Sequence, residues 1–172
     1  ASNHRSTASD KVSLRMMLLT LARRMMRQPP DFYVGGKKAP YMHRWYVIPR
    51  NPFLNIYLHK ILRSDDDKAL HDHPWVNCSI LLKGAYYEAL PVKKPHVHGQ
   101  GLKFKYRREG SIVFRRARSA HRLLIDHGPC EVISLFITGP NIRTWGFYAP
   151  GGWVPYYEFI AKRDNESTYK DG

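Results

Sequence analysis

The sequence predicts an all-β domain: a single small β-barrel preceded by one amphipathic helix. After Gly35-Gly36, short segments rich in β-branched and aromatic residues follow one another, with turn signals between them. No alternation of strands with helical segments is visible, which argues against a parallel α/β sheet. The chain has 172 residues, of which 43% are hydrophobic, and this is enough for one sizeable core.

The helix is predicted over Lys11–Arg27, where apolar residues recur at helical spacing. Ser9 or Asp10 is expected to cap it, and Pro29-Pro30 to end it, because proline lacks a backbone donor. We expect this helix to pack on its own domain. The chain is therefore divided into an arm and helix over 1–40, a barrel over 41–160 and a tail over 161–172.

Ten strands are predicted from the β-branched and aromatic segments between turns. They are Tyr41–Ile48, Leu54–Arg63, Leu70–His73, Asn77–Leu82, Tyr86–Leu90, Lys103–Arg107, Ser111–Arg115, His121–Asp126, Glu131–Thr138 and Thr144–Phe147. The polar stretch Pro91–Gly101 is interpreted as a loop that interrupts the barrel.

The charge is strongly positive. Twenty-eight Lys and Arg against fourteen Asp and Glu give a net charge of +14, so an anionic partner is worth considering. No apolar run reaches the ~18–20 residues of a membrane span, and we expect no membrane partner. Two cysteines, without a secretory leader, favour a reducing compartment, the cytoplasm.

The most informative motif is His71-Asp72-His73, at a strand end. Residues two apart in an extended chain point to the same face, so the two imidazoles converge while Asp72 points away. On the inner wall of a barrel, such a pair is a bidentate metal clamp.

The spacing around this pair resembles the two signature motifs of the cupin superfamily. Asn77 follows His73 by four residues and precedes Gly84 by six intervening residues, in the place where the first motif has Glu and then Gly. Gly110 leads to His121 in the spacing of the second motif, with Arg116 and Arg118 in place of its Pro and Gly. Two segments, H-D-H-P-W at 71–75 and I-T-G-P-N-I-R-T-W-G-F at 137–147, are also similar to segments of small single-domain cupins from phage and bacterial genomes.

The resemblance, which covers about 41–160, implies a double-stranded β-helix, or jelly roll, with one divalent metal ion. Its ligands would be His71, His73 and His121, with Asn77 as a weak fourth ligand or a water-holding amide. A three-histidine site resembles that of thiol dioxygenases such as cysteine dioxygenase, which implies Fe(II). Zn²⁺, Mn²⁺ and Ni²⁺ also accept imidazole. If the chain is phage-encoded, its compartment would be the host cytoplasm.

Three function hypotheses follow. The first is a metal-dependent oxygenase on a small anionic substrate, oriented by Arg44, Arg116 or Arg118. The second is a non-catalytic cupin whose basic faces bind nucleic acid or an acidic partner, and the third is a metal-dependent isomerase. A homodimer is left open.

The basic run Lys103–Arg108 interleaves cations with aromatic residues. That pattern is typical of surfaces on which bases stack, and equally of a half-exposed strand. If the segment is a half-exposed strand, we expect Phe104 and Tyr106 to point inward. Lys103, Lys105 and Arg107 would then point outward.

Other residues receive simpler interpretations. His59 is expected to be a hydrogen-bonded core residue, Cys78 a buried thiol facing away from Asn77, and Asp65-Asp66-Asp67 a turn. A second H-x-H motif, His96-Val97-His98, lies in the polar loop, where the two imidazoles need not lie on the same face.

Overall fold

The computed structural model describes residues 8–65, 69–92, 101–125 and 131–168. Helix α1 spans Ala8–Met25 and helix α2 spans Tyr156–Thr168. The strands are β1 (Phe32–Val34), β2 (Met42–Tyr46), β3 (Asn55–Ile61), β4 (Leu70–His71), β5 (Asn77–Lys83), β6 (Ala85–Pro91), β7 (Leu102–Arg108), β8 (Ile112–Arg115), β9 (Arg122–Leu124), β10 (Val132–Thr138), β11 (Gly146–Ala149) and β12 (Gly152–Pro155).

The strands form two walls. One is a six-stranded antiparallel sheet in the order β1-β2-β3-β10-β5-β8. The other consists of two three-stranded pieces, β12-β11-β4 and β7-β6-β9, which an antiparallel bridge between His71 and His121 joins edge to edge. The result is a double-stranded β-helix, so the predicted all-β barrel with an N-terminal helix is confirmed.

The two faces of the six-stranded wall are distinct. Directly opposite residues of antiparallel strands share a face, and Tyr57, Phe136 and Ser79 form one such buried row across β3, β10 and β5. The next residues along, among them Leu58 and Ile133, face the other way, toward α1. Alternation therefore separates a barrel interior from a second core beneath the helix.

Helix α1 closes this second core. Leu19 and Ala22 pack with Trp45, Leu58 and Ile133, and all five are at most 5% exposed. Arg15 anchors the helix by donating from Nη1 to the carbonyl of Leu82 at 2.7 Å. The helix packs on its own domain, as expected.

The ends of α1 differ from the prediction. It begins at Ala8, so Ser9 and Asp10 lie in its first turn and do not cap it. Asp10 is still favourable there, because a carboxylate near the N-terminus complements the helix dipole. Neither described helix combines the length and the apolarity that crossing a bilayer requires.

Gly84 explains one of the sequence spacings. It joins β5 to β6 with a φ of +81°, a conformation that side chains rarely adopt. A Cβ there would lie 2.5 Å from the carbonyl oxygen of Glu131. Only glycine fits at this position. Because the turn ends β5, it fixes the number of residues between Asn77 and the end of the strand.

Helix α2 was not anticipated, since we predicted a tail over 161–172. It follows Pro155 directly and packs on β11, where the rings of Phe159 and Phe147 are 4.2 Å apart. The ring of Tyr156 stacks on Trp145 at 4.8 Å. The aromatic anchors lie in its first turn, outside the polar stretch on which the tail prediction rested. The domain boundaries themselves stay a prediction.

The predicted orientation of β7 is wrong. Phe104 and Tyr106 are each 57% exposed, whereas Arg107 turns inward and donates from Nε to Glu88 at 2.8 Å. The reason is electrostatic: a buried carboxylate on the neighbouring strand β6 requires a cationic partner, and this outweighs the burial of two aromatic rings.

Candidate metal centre

The backbone brings two of the predicted ligands together. The amide of His71 donates to the carbonyl of His121 and the amide of His121 to the carbonyl of His71, both at 2.9 Å. Directly opposite residues of an antiparallel pair point to the same side. The amide of His73 is held separately, by the carbonyl of Ala117 at 3.0 Å. The two signature motifs therefore meet through main-chain hydrogen bonds.

The three imidazoles form a compact cluster. Ligating atoms of His71, His73 and His121 all lie within 4.8 Å of one another, and the Nε2 atoms of His73 and His121 are 2.9 Å apart. A divalent ion about 2.0–2.1 Å from each nitrogen requires nitrogens about 3 Å apart or slightly more. The donor set and its spacing therefore fit a metal ion held by three neutral imidazoles.

Carboxylates stand behind two of these rings. The Nδ1 atom of His121 lies 3.1 Å from Oε1 of Glu88, and Nδ1 of His71 lies 3.7 Å from Oδ2 of Asp65. Metal-binding histidines commonly direct their second ring nitrogen to a carboxylate, which fixes the ring and makes the ligating nitrogen more basic. This arrangement leaves the Nε2 atoms free for the metal.

Glu88 is the main residue that the sequence analysis missed. It is fully buried and receives Arg115 Nε at 2.7 Å and Arg107 Nη2 at 2.7 Å. Burial alone would raise the pKa of Glu88, but the hydrogen bond with His121 and the charge of Arg115 hold it well below the usual range. The sequence signal was a lone carboxylate inside an otherwise apolar strand.

His73 and His121 are kept neutral. Burial, together with the nearby His121, lowers the pKa of His73 well below its ordinary value. Burial and the charge of Arg115 lower the pKa of His121 to about 3, against the opposing effect of Glu88. Neutral imidazoles are the form that binds a metal, so no proton must first be displaced at neutral pH.

Asp72 points away from the histidine cluster, as the alternation predicts. It is fully buried and accepts hydrogen bonds from Arg143 Nη1 at 2.6 Å, from the Gly146 amide at 2.8 Å and from Trp153 Nε1 at 3.1 Å. These donors lie in and after the segment I-T-G-P-N-I-R-T-W-G-F. Through these hydrogen bonds, Asp72 holds the segment that carries His71 and His73 against β11 and β12.

Asn77 lies on the inner face of β5 and is 2% exposed. Neither of its amide atoms has a hydrogen-bond partner among the described residues. It sits directly opposite Arg115 on β8, so it faces the same interior as the Glu88 cluster. Cys78 faces the other way, as expected, but is only half-buried.

Arg44 and His59 form a pair inside the barrel. Nε of Arg44 donates to Nε2 of His59 at 2.9 Å, and the guanidinium lies 4.7 Å from the centre of the Tyr57 ring. His59 is 4% exposed, which matches the expected hydrogen-bonded core residue. The ring of Phe136 separates this pair from the metal cluster, with centroids 5.0 Å from His59 and 6.0 Å from His73.

Arg116 and Arg118 do not enter the barrel. Both are exposed at the turn after β8, whereas Arg115, which we had not selected, is 5% exposed and reaches Glu88. Alternation along β8 turns Arg115 inward, with Val113, and Arg116 outward. Arg115 is therefore the arginine of this run that lies inside the barrel, and a substrate contact by Arg116 or Arg118 stays a prediction.

Several residues singled out by the sequence lie outside the described residues. They are Asp66, Asp67, His96, His98, Asp126 and the second cysteine, Cys130.

Comparisons with known proteins place the fold. No family model matches the chain, and no curated protein sequence matches it. Among solved structures, the Fe(II) form of HppE superimposes with a TM-score of 0.50 and 15% identity over 66% of this chain. The chain spans only 58% of that protein's length.

Other similar structures have the same architecture. Hydroxypropylphosphonic acid epoxidase from S. wedmorenis matches 64% of this chain and 57% of its own, with a TM-score of 0.47 and 17% identity. An uncharacterised protein with a double-stranded β-helix domain from Klebsiella pneumoniae matches 67% of this chain and 90% of its own, with a TM-score of 0.48 and 14% identity. The superposition on HppE at a TM-score of 0.50 agrees with the double-stranded β-helix fold that the strand order shows.

Removing any one of the three histidines should weaken metal binding. His71→Ala, His73→Ala and His121→Ala are each expected to lower Zn²⁺ or Co²⁺ affinity by at least about 100-fold, because one of three protein ligands is lost. Competitive chelator titration of the purified variants measures the change. His43→Ala, on the outer face of β2, is the matched control and should bind metal like the wild type. A His121→Ala variant with wild-type affinity would contradict the assignment.

Proposed function

We propose that the protein is a metal-dependent enzyme, a non-haem Fe(II) oxygenase acting on a small anionic substrate. The observation that carries the proposal is the cluster of three histidines, two of them backed by carboxylates, inside the barrel. Three protein ligands leave coordination positions free, which is the requirement for a catalytic rather than a purely structural metal.

Iron is favoured over the alternatives by resemblance. The site resembles three-histidine dioxygenases, and HppE, which has the same fold, is described with Fe(II). Zn²⁺, Mn²⁺ and Ni²⁺ remain the competing metals, since all accept imidazole. When bound, Fe(II) would supply free coordination positions where dioxygen and substrate react. Glu88 and Asp65 would hold the rings of His121 and His71 in place.

The anionic substrate is inferred from Arg44. Among the described residues, no carboxylate is paired with this half-buried guanidinium, whose contacts are the neutral His59 ring and the Tyr57 face. Burial lowers the pKa of Arg44, but an arginine remains charged at neutral pH. An uncompensated buried cation is costly, and an anionic group of the substrate would offset that cost. Of the three arginines predicted from the sequence to orient the substrate, we therefore retain Arg44 and not Arg116 or Arg118.

The proposal is tested by oxygen chemistry on the iron-loaded protein. Protein loaded anaerobically with Fe(II) should bind nitric oxide, a probe of free coordination positions, with a paramagnetic resonance signal that His121→Ala abolishes. With a panel of small carboxylates and phosphonates, labelled dioxygen should be incorporated into a product, and Arg44→Gln should raise KM by about tenfold or more, the effect of a lost charged hydrogen bond.

Two outcomes would redirect the proposal. Failure of nitric oxide to bind the iron would mean a closed structural site. Conversion of a substrate without oxygen would favour the isomerase hypothesis.

A second function, binding of single-stranded nucleic acid, is favoured by the surface of β7. Lys103, Phe104, Lys105 and Tyr106 are all exposed on this strand, which lies at the end of its sheet among the described residues. The ring of Tyr87 lies 5.2 Å from that of Tyr106 and extends the aromatic surface. The rings lie on one face of β7 and the two lysines on the other, so bases would stack on the aromatic face while the lysines reach phosphates around the strand edge.

Fluorescence anisotropy with a labelled single-stranded oligonucleotide tests this function. Phe104→Ala with Tyr106→Ala should weaken binding by about tenfold or more, because each stacked base contributes about 1–3 kcal/mol. Lys103→Ala should reduce the slope of log affinity against log salt by about 0.7. Phe114→Ala is the control, since this ring is 69% exposed on β8, outside the proposed surface. Equal loss in the control, or binding that salt does not weaken, would contradict the proposal.

A further inference from the structure

Two buried polar side chains on the inner face of the six-stranded wall lack partners. Asn77 is 2% exposed and Thr138 is 1% exposed. Within the described part of the chain, neither the two amide atoms of Asn77 nor the hydroxyl of Thr138 has a hydrogen-bond partner. Leaving such groups unpaired in a protein interior is costly, and in native structures the great majority are satisfied by protein, water or ligand.

The register places these two side chains next to each other. Thr138 on β10 pairs directly with Asn77 on β5, and Arg115 on β8 pairs with Asn77 from the other side. Side chains of directly opposite residues lie on the same face, with Cβ atoms about 4.5–5.5 Å apart. Because Arg115 reaches Glu88 and Glu88 contacts His121, this row faces the metal-binding histidines.

A third unpaired donor lies close by in the chain. Nε1 of Trp75 is buried without a partner among the described residues, and its ring stacks against His73 at a centroid distance of 6.4 Å. Two residues from Thr138 on the same face of β10, Phe136 also contacts the His73 ring. The rings of Trp75 and Phe136 therefore lie against His73, and Thr138 follows Phe136 on the same face of β10. This combination is typical of a site that holds a small ligand by a few polar contacts in an apolar setting.

We propose that Asn77 and Thr138 form a subsite for a carboxylate group of the substrate, next to the metal-binding histidines. The proposal rests on the proposed function, because it places a carboxylate of the same substrate on the metal side of Phe136, apart from the anionic group assigned to Arg44. The amide NH₂ of Asn77 and the hydroxyl of Thr138 donate hydrogen bonds to the carboxylate oxygens. Asn77 then stands where a Glu ligand would otherwise be, and the ligand's own negative charge compensates the metal instead.

The experiment uses Co²⁺-loaded protein and its visible absorption bands. Acetate, glycolate and malonate are the carboxylate probes, with acetamide as the uncharged counterpart. We expect at least one carboxylate to shift the cobalt bands of the wild type with saturable affinity. Thr138→Val and Asn77→Leu should weaken that affinity by at least about tenfold while Co²⁺ affinity stays within a factor of about three.

Thermal unfolding of the metal-free proteins distinguishes this subsite from a structural role. Replacing an unpaired buried polar group by an apolar group of similar shape is nearly neutral or stabilising. The Tm of Thr138→Val should therefore not fall, and Thr20→Val on the exposed face of α1 provides the same chemical change as a control.

The outcomes separate the two proposals. Absence of Co²⁺ binding would overturn the proposed function. Normal Co²⁺ binding combined with carboxylate affinities unchanged in both variants, or with no carboxylate response in the wild type, would overturn the subsite alone. A marked fall in Tm for Thr138→Val would assign the hydroxyl to structure, through a buried water, and would also overturn the subsite.

Discussion

The site depends on one interaction, the pair of main-chain hydrogen bonds between His71 and His121. This bridge joins the two three-stranded pieces of one wall into a continuous sheet and sets two imidazoles side by side. Because the constraint is in the backbone, the cluster is preorganised before any metal arrives. Asp72 holds the neighbouring strand from behind, while Glu88 and Asp65 orient the rings. The same two hydrogen bonds therefore close the wall of the barrel and position the metal-binding nitrogens.

Much of this could be predicted from short-range chemistry. The period of two placed His71 and His73 on one face with Asp72 opposite, and the spacing to Gly84 reflects a turn that only glycine can make. These features depend on local backbone geometry, which the sequence specifies directly. The position of His121 followed from resemblance, since nothing local connects it to the histidine pair.

The missed features are long-range. Glu88 stands out in the sequence as a lone carboxylate in an apolar strand, but its role is recognisable only once Arg107, Arg115 and His121 are brought around it from three other segments. The same cluster reverses the expected orientation of β7 and selects Arg115 over Arg116 and Arg118. Part of the positive charge is therefore paired with buried carboxylates, with Glu88 inside the barrel and with Asp72 on the opposite face of its strand. Arg44 remains as the interior cation without a described carboxylate, and Lys103 and Lys105 remain as surface charge.

X-ray absorption spectroscopy of the Zn²⁺-loaded wild-type protein tests directly whether the three histidines bind the metal. We expect three imidazole nitrogens at about 2.0–2.1 Å from the zinc, with oxygen atoms and no sulfur at the remaining positions. His121→Ala should lose one imidazole from that shell. A first shell with fewer than two imidazoles, or one containing sulfur, would contradict a metal centre built on His71, His73 and His121.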